Sequence, residues 1–253
     1  MIIKDDFLIK ENEIKYIPDE YYAPINIYVQ FLDAFAHSTG QSIYVIDHYK
    51  KNFIYISVDP LFLCGKSAKE VLNMGFEFYL NYVPESSFRL LQKINRAKFV
   101  FAKDIPPEKI LEYNLNFDFH IKQTKYRNLL INHKIMPLCL ANDGKIWLEL
   151  CVVSLSSHLN IGNIKIIQQG CYNMIWKYNL EKHYWIKSDG VALKDYEKKV
   201  LFLSGQGYTI KEISERMLKS IDTIKGYRRQ IFKKLNVKNI TEAVKKAIDD
   251  KII

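Results

Sequence analysis

Gly207-Tyr208-Thr209-Ile210-Lys211-Glu212-Ile213-Ser214-Glu215-Arg216-Met217-Leu218-Lys219-Ser220-Ile221-Asp222-Thr223-Ile224-Lys225 decides the fold of the last quarter of the chain. Thr209 followed three residues on by Glu212 is a capping box, in which a hydroxyl and a carboxylate each satisfy an orphan backbone N–H at a helix start. Ile210, Ile213 and Met217 then recur at helical spacing, and the helix can run only to about Leu218 before Ser220 offers the next N-cap. The stretch therefore predicts two helices joined by a turn of three or four residues.

The second helix is predicted from Ile221 to about Leu235. Placed on a wheel at about 100° per residue, Tyr227, Ile231 and Leu235 cluster around Ile224, while Lys225, Arg229, Lys233, Asp222 and Gly226 occupy the opposite arc. An apolar back that locks into a small core, with a cationic front notched by a glycine, is what a helix needs to enter the major groove of duplex DNA. A charge row that merely solvates an exposed face is the plainer alternative, and one helix does not choose between them.

The surrounding positions do. Leu193, Glu197, Val200, Leu201, Gly207, Thr209, Glu212, Ile213, Ser220, Thr223, Ile224, Lys225, Tyr227, Ile231, Lys234, Leu235, Val237, Thr241 and Ala243 agree in type and spacing with the LuxR-type (GerE-like) helix-turn-helix domain of bacterial transcription regulators. The resemblance covers about the last quarter of the chain. It implies base-facing positions at Lys225, Gly226 and Arg229 and backbone-contacting positions at Thr209, Thr223 and Lys233. Three residues depart from the family pattern: Lys194 replaces a capping Thr, Tyr196 a common Arg, and Ser214 an Ala that packs between helices. A final helix from Thr241 to Ile248 has more apolar side chains than a small core needs. The resemblance implies that it pairs two such domains on DNA, through Val244, Ala247 and Ile248.

The charge balance points the same way. Of the net +9, the segment from Gly190 to Ile253 carries fifteen Lys plus Arg against eight Asp plus Glu, and the preceding 189 residues carry 22 against 20. A near-neutral body with a basic tail suggests that the tail alone meets a polyanion. Cys64, Cys139, Cys151 and Cys171 make no C-x-x-C pair, which favours free thiols in a reducing cytoplasm over a metal site. The start, Met1-Ile2-Ile3-Lys4-Asp5-Asp6, has no apolar signal region, and no run of 18 apolar residues occurs, so no membrane association is expected.

Upstream, Ile25, Tyr28, Phe31, Leu32, Phe35 and Ala36 predict an amphipathic helix from about Pro24 to His37, placed to cap a sheet or to pair with a second copy. Ile43 to Ile46 and Phe53 to Ile56 read as a hairpin, and Ser67 caps a short helix. A longer helix follows from Pro84 to about Phe101, with Phe88, Leu91, Ile94 and Phe99 inward. Phe117 to Gln123, Leu129 to Leu140 and Lys145 to Leu155 then form a meander, joined by Thr124-Lys125-Tyr126-Arg127-Asn128 and by the strong turn Ala141-Asn142-Asp143-Gly144. The order predicts a five-stranded antiparallel sheet with helices crossing one face. With Leu63 to Ser67 and Val83-Pro84-Glu85, it resembles a PAS sensor domain. Three further runs, Ile164 to Ile167, Asn173 to Tyr178 and Lys182 to Ile186, either extend that sheet or form a hairpin ahead of a boundary at Ser188-Asp189-Gly190.

No catalytic constellation is visible. The six histidines, at 37, 48, 120, 133, 158 and 183, lack metal-ligand spacing, and there is no G-x-S-x-G or phosphate-cradling glycine loop. Asp5-Asp6 lies far from any strand pattern, which disfavours a phosphorylated receiver domain. The haem and thiol motifs of cofactor-bearing PAS domains are missing, and Cys64 and His120 alone assign nothing. Phe53, Phe62, Phe76, Phe78, Phe88, Phe99 and Phe101 could line an apolar pocket for a small molecule, and core packing explains them equally well.

The sequence thus reads as an α+β protein: a helical extension over residues 1–40, a PAS-like sensory or dimerising domain with a five-stranded antiparallel sheet over 41–160, a hairpin and linker over 161–190, and an all-α, four-helix helix-turn-helix domain over 191–253. The function expected is that of a cytoplasmic, homodimeric, non-enzymatic transcription regulator that binds double-stranded DNA and holds no identified cofactor. An adaptor that binds a transcription partner such as RNA polymerase through its C-terminal helices is the alternative.

Overall fold

The β-rich runs pair into one sheet of eight strands, not five. In the computed structural model, which describes residues 10–124, 127–169, 174–189, 191–249 and 252–253, the strands are β1 (Ser42–Asp47), β2 (Asn52–Ile56), β3 (Tyr113–Thr124), β4 (Arg127–Leu140), β5 (Ile146–Leu155), β6 (Gly162–Gln168), β7 (Met174–Asn179) and β8 (Tyr184–Asp189). Asp5-Asp6, Lys125-Tyr126, Cys171, Asn173 and Gly190 lie outside the described residues. The strand order is β2-β1-β5-β4-β3-β6-β7-β8. The five expected strands form the first part of that order, and β6 adds to the remaining edge of β3 with Leu115 opposite Ile166. Ile164 and Ile166 alternate into the same core as β3, and pairing satisfies backbone groups that a bare edge would leave open.

Helices cover both faces of the sheet rather than one. On the first face, Tyr44, Phe117, Phe119, Ile131 and Cys151 pack against α2 (Pro60–Leu63), α3 (Ala68–Met74), α4 (Glu77–Tyr82) and α5 (Glu85–Ala102). The side chains that alternate to the other face, Ile43, Val45, Tyr55 and Leu148, meet Ile14 and Ile17 of an N-terminal strap and Ala36 of α1 (Ile25–Thr39). Helix α1 lies on the sheet through Val29, Leu32 and Ala36. That contact leaves Tyr28, Phe31 and Phe35, of the apolar face expected either to cap a sheet or to pair with a second copy, turned towards solvent at 56%, 68% and 45% exposure.

Local chemistry fixes the ends of these elements. Ser67 caps α3, its hydroxyl accepting from the Glu70 N–H at 3.2 Å while the Glu70 carboxylate accepts from the Ser67 N–H at 2.8 Å. The turn between β4 and β5 places Gly144 at φ +78°, a conformation that costs glycine little, and its N–H donates to the Ala141 carbonyl at 2.9 Å. The short helix α6 (Pro107–Ile110) leads into β3.

The chain divides into two units, Met1–Ser188 and Asp189–Ile253. The second consists of α7 (Asp195–Gly205), α8 (Ile210–Met217), α9 (Ile221–Leu235) and α10 (Ile240–Asp249) around Val200, Leu201, Ile213, Ile224, Ile231, Leu235, Ala243 and Ala247. Helix α8 stops at Leu218, whose φ of +52° lets the Lys219 N–H reach back to the Ser214 carbonyl at 3.0 Å, a Schellman closure. Ser220 then caps α9, accepting from the Thr223 N–H at 3.1 Å.

The three departures from the family pattern are each accommodated. Lys194 offers no acceptor, yet Glu197 bonds the Lys194 N–H at 2.7 Å and so fixes the start of α7. Tyr196 packs against Tyr227 in a tilted ring contact, centroids 4.3 Å apart. Ser214 donates its hydroxyl to the Lys211 carbonyl at 2.7 Å, which removes the cost of placing it between helices.

Candidate nucleic-acid interface

Helix α9 is gripped from behind. Ile224, Ile231 and Leu235 are fully buried, and buried Glu197 bonds the Lys234 ammonium at 2.6 Å from α7. Its front carries Lys225, Arg229 and Lys233, all exposed. Lys225 approaches the Asp222 carboxylate at 3.4 Å, a pairing across solvent that holds neither group firmly. The two adjacent arginines differ. Arg228 is half-buried over the Phe232 ring, and burial pulls its pKa down, whereas Arg229 is exposed.

Gly226 lies between the cations, and a Cβ placed there would meet nothing within 4 Å. No packing inside the domain requires a glycine at this position, so what it leaves free is surface.

Thr209 and Thr223 stand at the N-terminal ends of α8 and α9. The Thr209 hydroxyl donates to Glu212 at 2.7 Å and accepts from the Glu212 N–H at 3.3 Å, while the Thr223 hydroxyl meets that of Ser220 at 2.8 Å. Thr209 is thus itself a cap and Thr223 lies in the first turn capped by Ser220, both at the electropositive end of a helix, whereas Lys233 lies in the last turn of α9. Beside them the Arg216 guanidinium lies 4.0 Å over the Tyr208 ring, a contact that wheel and motif did not reveal. On α10, Val244 is half-buried, Ala247 is wholly buried in the domain core and Ile248 is 57% exposed. Ala247 thus offers no surface to a partner.

The sheet unit contains a cavity of about 360 Å³ between sheet, α5 and the N-terminal strap. Apolar residues from several elements line it, among them Ile14, Ile46, Phe76, Tyr79, Leu91, Phe99, Phe117 and Ile135, together with Asn12, Asn95, His48, His133 and Glu149. Of the aromatics expected to line a pocket, Phe76 and Phe99 do so; Phe53, Phe62, Phe78 and Phe88 belong to the packed core. His120 and Cys64 are not among the lining residues. Asn12 ties the strap down with two bonds to the Ile146 backbone, at 2.8 and 3.0 Å.

One wall of the cavity is ionic. The Glu149 carboxylate accepts from Lys98 at 2.7 and 2.9 Å and meets His48 Nε2 at 2.7 Å. Burial pushes the Glu149 pKa up, but the Lys98 ammonium and the hydrogen-bonded His48 more than offset this and hold it down at about 2. Next to it His133 Nε2 meets the Tyr44 hydroxyl at 2.6 Å, which in turn meets Tyr79 at 2.7 Å. Burial first, then Lys98, lowers the His133 pKa to about 3, so the ring is neutral at physiological pH. Lys98 carried a faint sequence signal: it falls four residues after Ile94 and seven after Leu91, on the inner face of α5.

No curated protein matches the chain. Similar solved structures include the Vibrio cholerae VqmA dimer in the absence of target DNA, at 15% identity over 83% of this chain and 82% of that one, with a TM-score of 0.33. A phage VqmA–DPO complex matches at 16% identity over 88% of each chain, TM-score 0.28. The V. cholerae VqmA–ligand–DNA complex matches at 15% identity over 92% of this chain and 89% of that one, TM-score 0.32. Residues 192–247 match the model of bacterial regulatory proteins of the luxR family. With its two capped helices, Schellman turn and buried trihelical support, this segment is a LuxR-family (GerE) helix-turn-helix domain.

Proposed function

We propose that the chain is a sequence-specific transcription regulator whose α9 reads the major groove and whose sheet unit senses a small molecule. The observation that carries the reading is the exposed Lys225–Arg229–Lys233 ridge on a helix whose back is wholly buried. Arg229 reads base edges, while Lys233 and the helix ends at Thr209 and Thr223 set register on phosphates. Lys225 lies beside the open surface at Gly226, close enough to reach either.

The cavity supports the sensory role. Its volume lies within the range of ligand pockets, and its lining combines apolar side chains with polar and charged ones, among them Asn12, Lys51, Asn95 and Glu149. Since two half-sites about one helical turn apart must be met together, the active form is a homodimer. Its apolar contact surfaces are the exposed stripe of α1 and the outer side of α10 at Val244 and Ile248.

Fluorescence anisotropy of the full chain against operator and random duplexes at two salt concentrations tests the division of roles. Arg229→Ala should lose roughly 1–3 kcal/mol of discrimination. Lys233→Ala should weaken binding to all DNA alike and lower the salt slope by about 1. Equal losses on both duplexes for both variants would refute the assignment.

A further inference from the structure

The cationic front of α9 contains one acid. Asp222 lies in the first turn, with its side chain 90% exposed and its carboxylate 3.4 Å from Lys225 Nζ. On the helical wheel it falls roughly 20° from Arg229 on one side and roughly 20° from Lys233 on the other, in the middle of the face that meets DNA. An acid in the first turn also complements the positive end of the helix. A position turned away from DNA would serve that purpose equally, without repelling phosphates from the centre of the interface.

A carboxylate is compatible with the major groove only where a base edge offers donors. Cytosine does so through N4–H₂, and adenine places its N7 acceptor beside N6–H₂, which repels a second acceptor. Asp222 is nearer than Arg229 to the N-terminal end of α9, the end that enters the groove in helix-turn-helix complexes. Seven residues of helix separate the two, a rise of about 10 Å, or roughly three base-pair steps.

We propose that Asp222 is a specificity-determining residue that accepts a hydrogen bond from a cytosine N4–H₂, about three base pairs from the pair read by Arg229. In the free protein the same carboxylate lies 3.4 Å from the Lys225 ammonium, a solvent-exposed pairing that leaves Lys225 free to turn to a phosphate or a guanine edge on DNA. The inference rests on the DNA-reading assignment above.

The test is selection from a random duplex library with the full chain as wild type, Asp222→Asn and Arg229→Ala. The wild-type motif should contain a C·G pair about three positions from the one that Arg229→Ala relaxes. Asp222→Asn keeps the shape and should reduce preference for that pair roughly 5-fold or more, while its affinity for random duplex rises because a repelling charge is gone. A motif unchanged by Asp222→Asn, with the Arg229 effect intact, overturns this inference and leaves Asp222 as a helix-end charge. A wild type that selects no motif overturns the DNA-reading assignment and this inference together.

Discussion

His133 makes the sheet unit acid-sensitive in a pH window of its own. It is wholly buried on β4, and burial together with Lys98 holds its pKa at about 3, against an ordinary value of 6.5. A depressed folded-state pKa means that below 6.5 the unfolded chain binds a proton that the folded chain does not. The associated stability is fully present above about pH 6.5 and is lost as pH falls towards 3. The slope for one proton is about 1.4 kcal/mol per pH unit, so about 2 kcal/mol should be gone by pH 5. Glu149, held at about 2 by Lys98 and His48 against the effect of burial, contributes in the same direction only below about pH 4.5, its ordinary value. The assay is urea unfolding followed by tryptophan fluorescence between pH 7.5 and 5. All three tryptophans, Trp147, Trp176 and Trp185, lie in the sheet unit, so the signal follows that unit. His133→Phe keeps a ring in the same space and cannot take up the proton. Its stability should fall less steeply than that of the wild type by about 1.4 kcal/mol per unit between pH 6 and 5, while contributions from other histidines cancel between the two proteins. Parallel pH profiles would refute the reasoning.

Two further outcomes follow from surfaces the fold leaves open. Gly226→Ala meets no atom within 4 Å and sits inside α9, so it should raise the thermal stability of the C-terminal unit by up to about 1 kcal/mol while weakening duplex binding, because the added methyl stands on the side proposed to face DNA. Binding equal to wild type would show that close approach at this position is not used. In the proposed homodimer, Phe31→Glu combined with Phe35→Glu should shift the chain to monomer in sedimentation equilibrium, with urea unfolding of the dissociated chain changed by no more than about 0.5 kcal/mol, since neither side chain belongs to the buried core.

The helix-turn-helix was legible because its determinants are local. Thr209 and Glu212, Ser220 and Thr223, and the apolar set Ile224, Ile231 and Leu235 act within a few residues of each other, and the structure places each as the spacing implies. The sheet was legible strand by strand but not in number. Nothing in Ile164 to Ile167 says which edge it joins, and only the tertiary pairing of Leu115 with Ile166 makes it part of the core. Helix α1 illustrates the same limit. Its periodicity predicted a helix, but Val29, Leu32 and Ala36 compete with Tyr28, Phe31 and Phe35 for the sheet, and packing decided for the smaller set. The ionic wall of the cavity was hidden by distance: Lys98 and His48 reach Glu149 from 51 and 101 residues away.

The same competition between small and large side chains bears on where two copies would meet. Helix α10 presented four apolar positions, and the domain core takes Ala243 and Ala247 because small side chains allow α10 to lie close on α7 and α9. The approach is tight enough that a Cβ at Gly205 of α7 would stand 3.3 Å from a Val244 methyl, so Val244 is partly committed to its own domain. Ile248 is then the largely exposed member of the set, and a single isoleucine covers far less area than the roughly 800 Å² each partner contributes to a stable interface. Helix α1 exposes Ile27, Tyr28, Phe31 and Phe35 along one side of a 15-residue helix. The greater apolar surface thus belongs to the sheet unit, and α10 by itself is suited to a contact that forms once DNA has already brought two domains together.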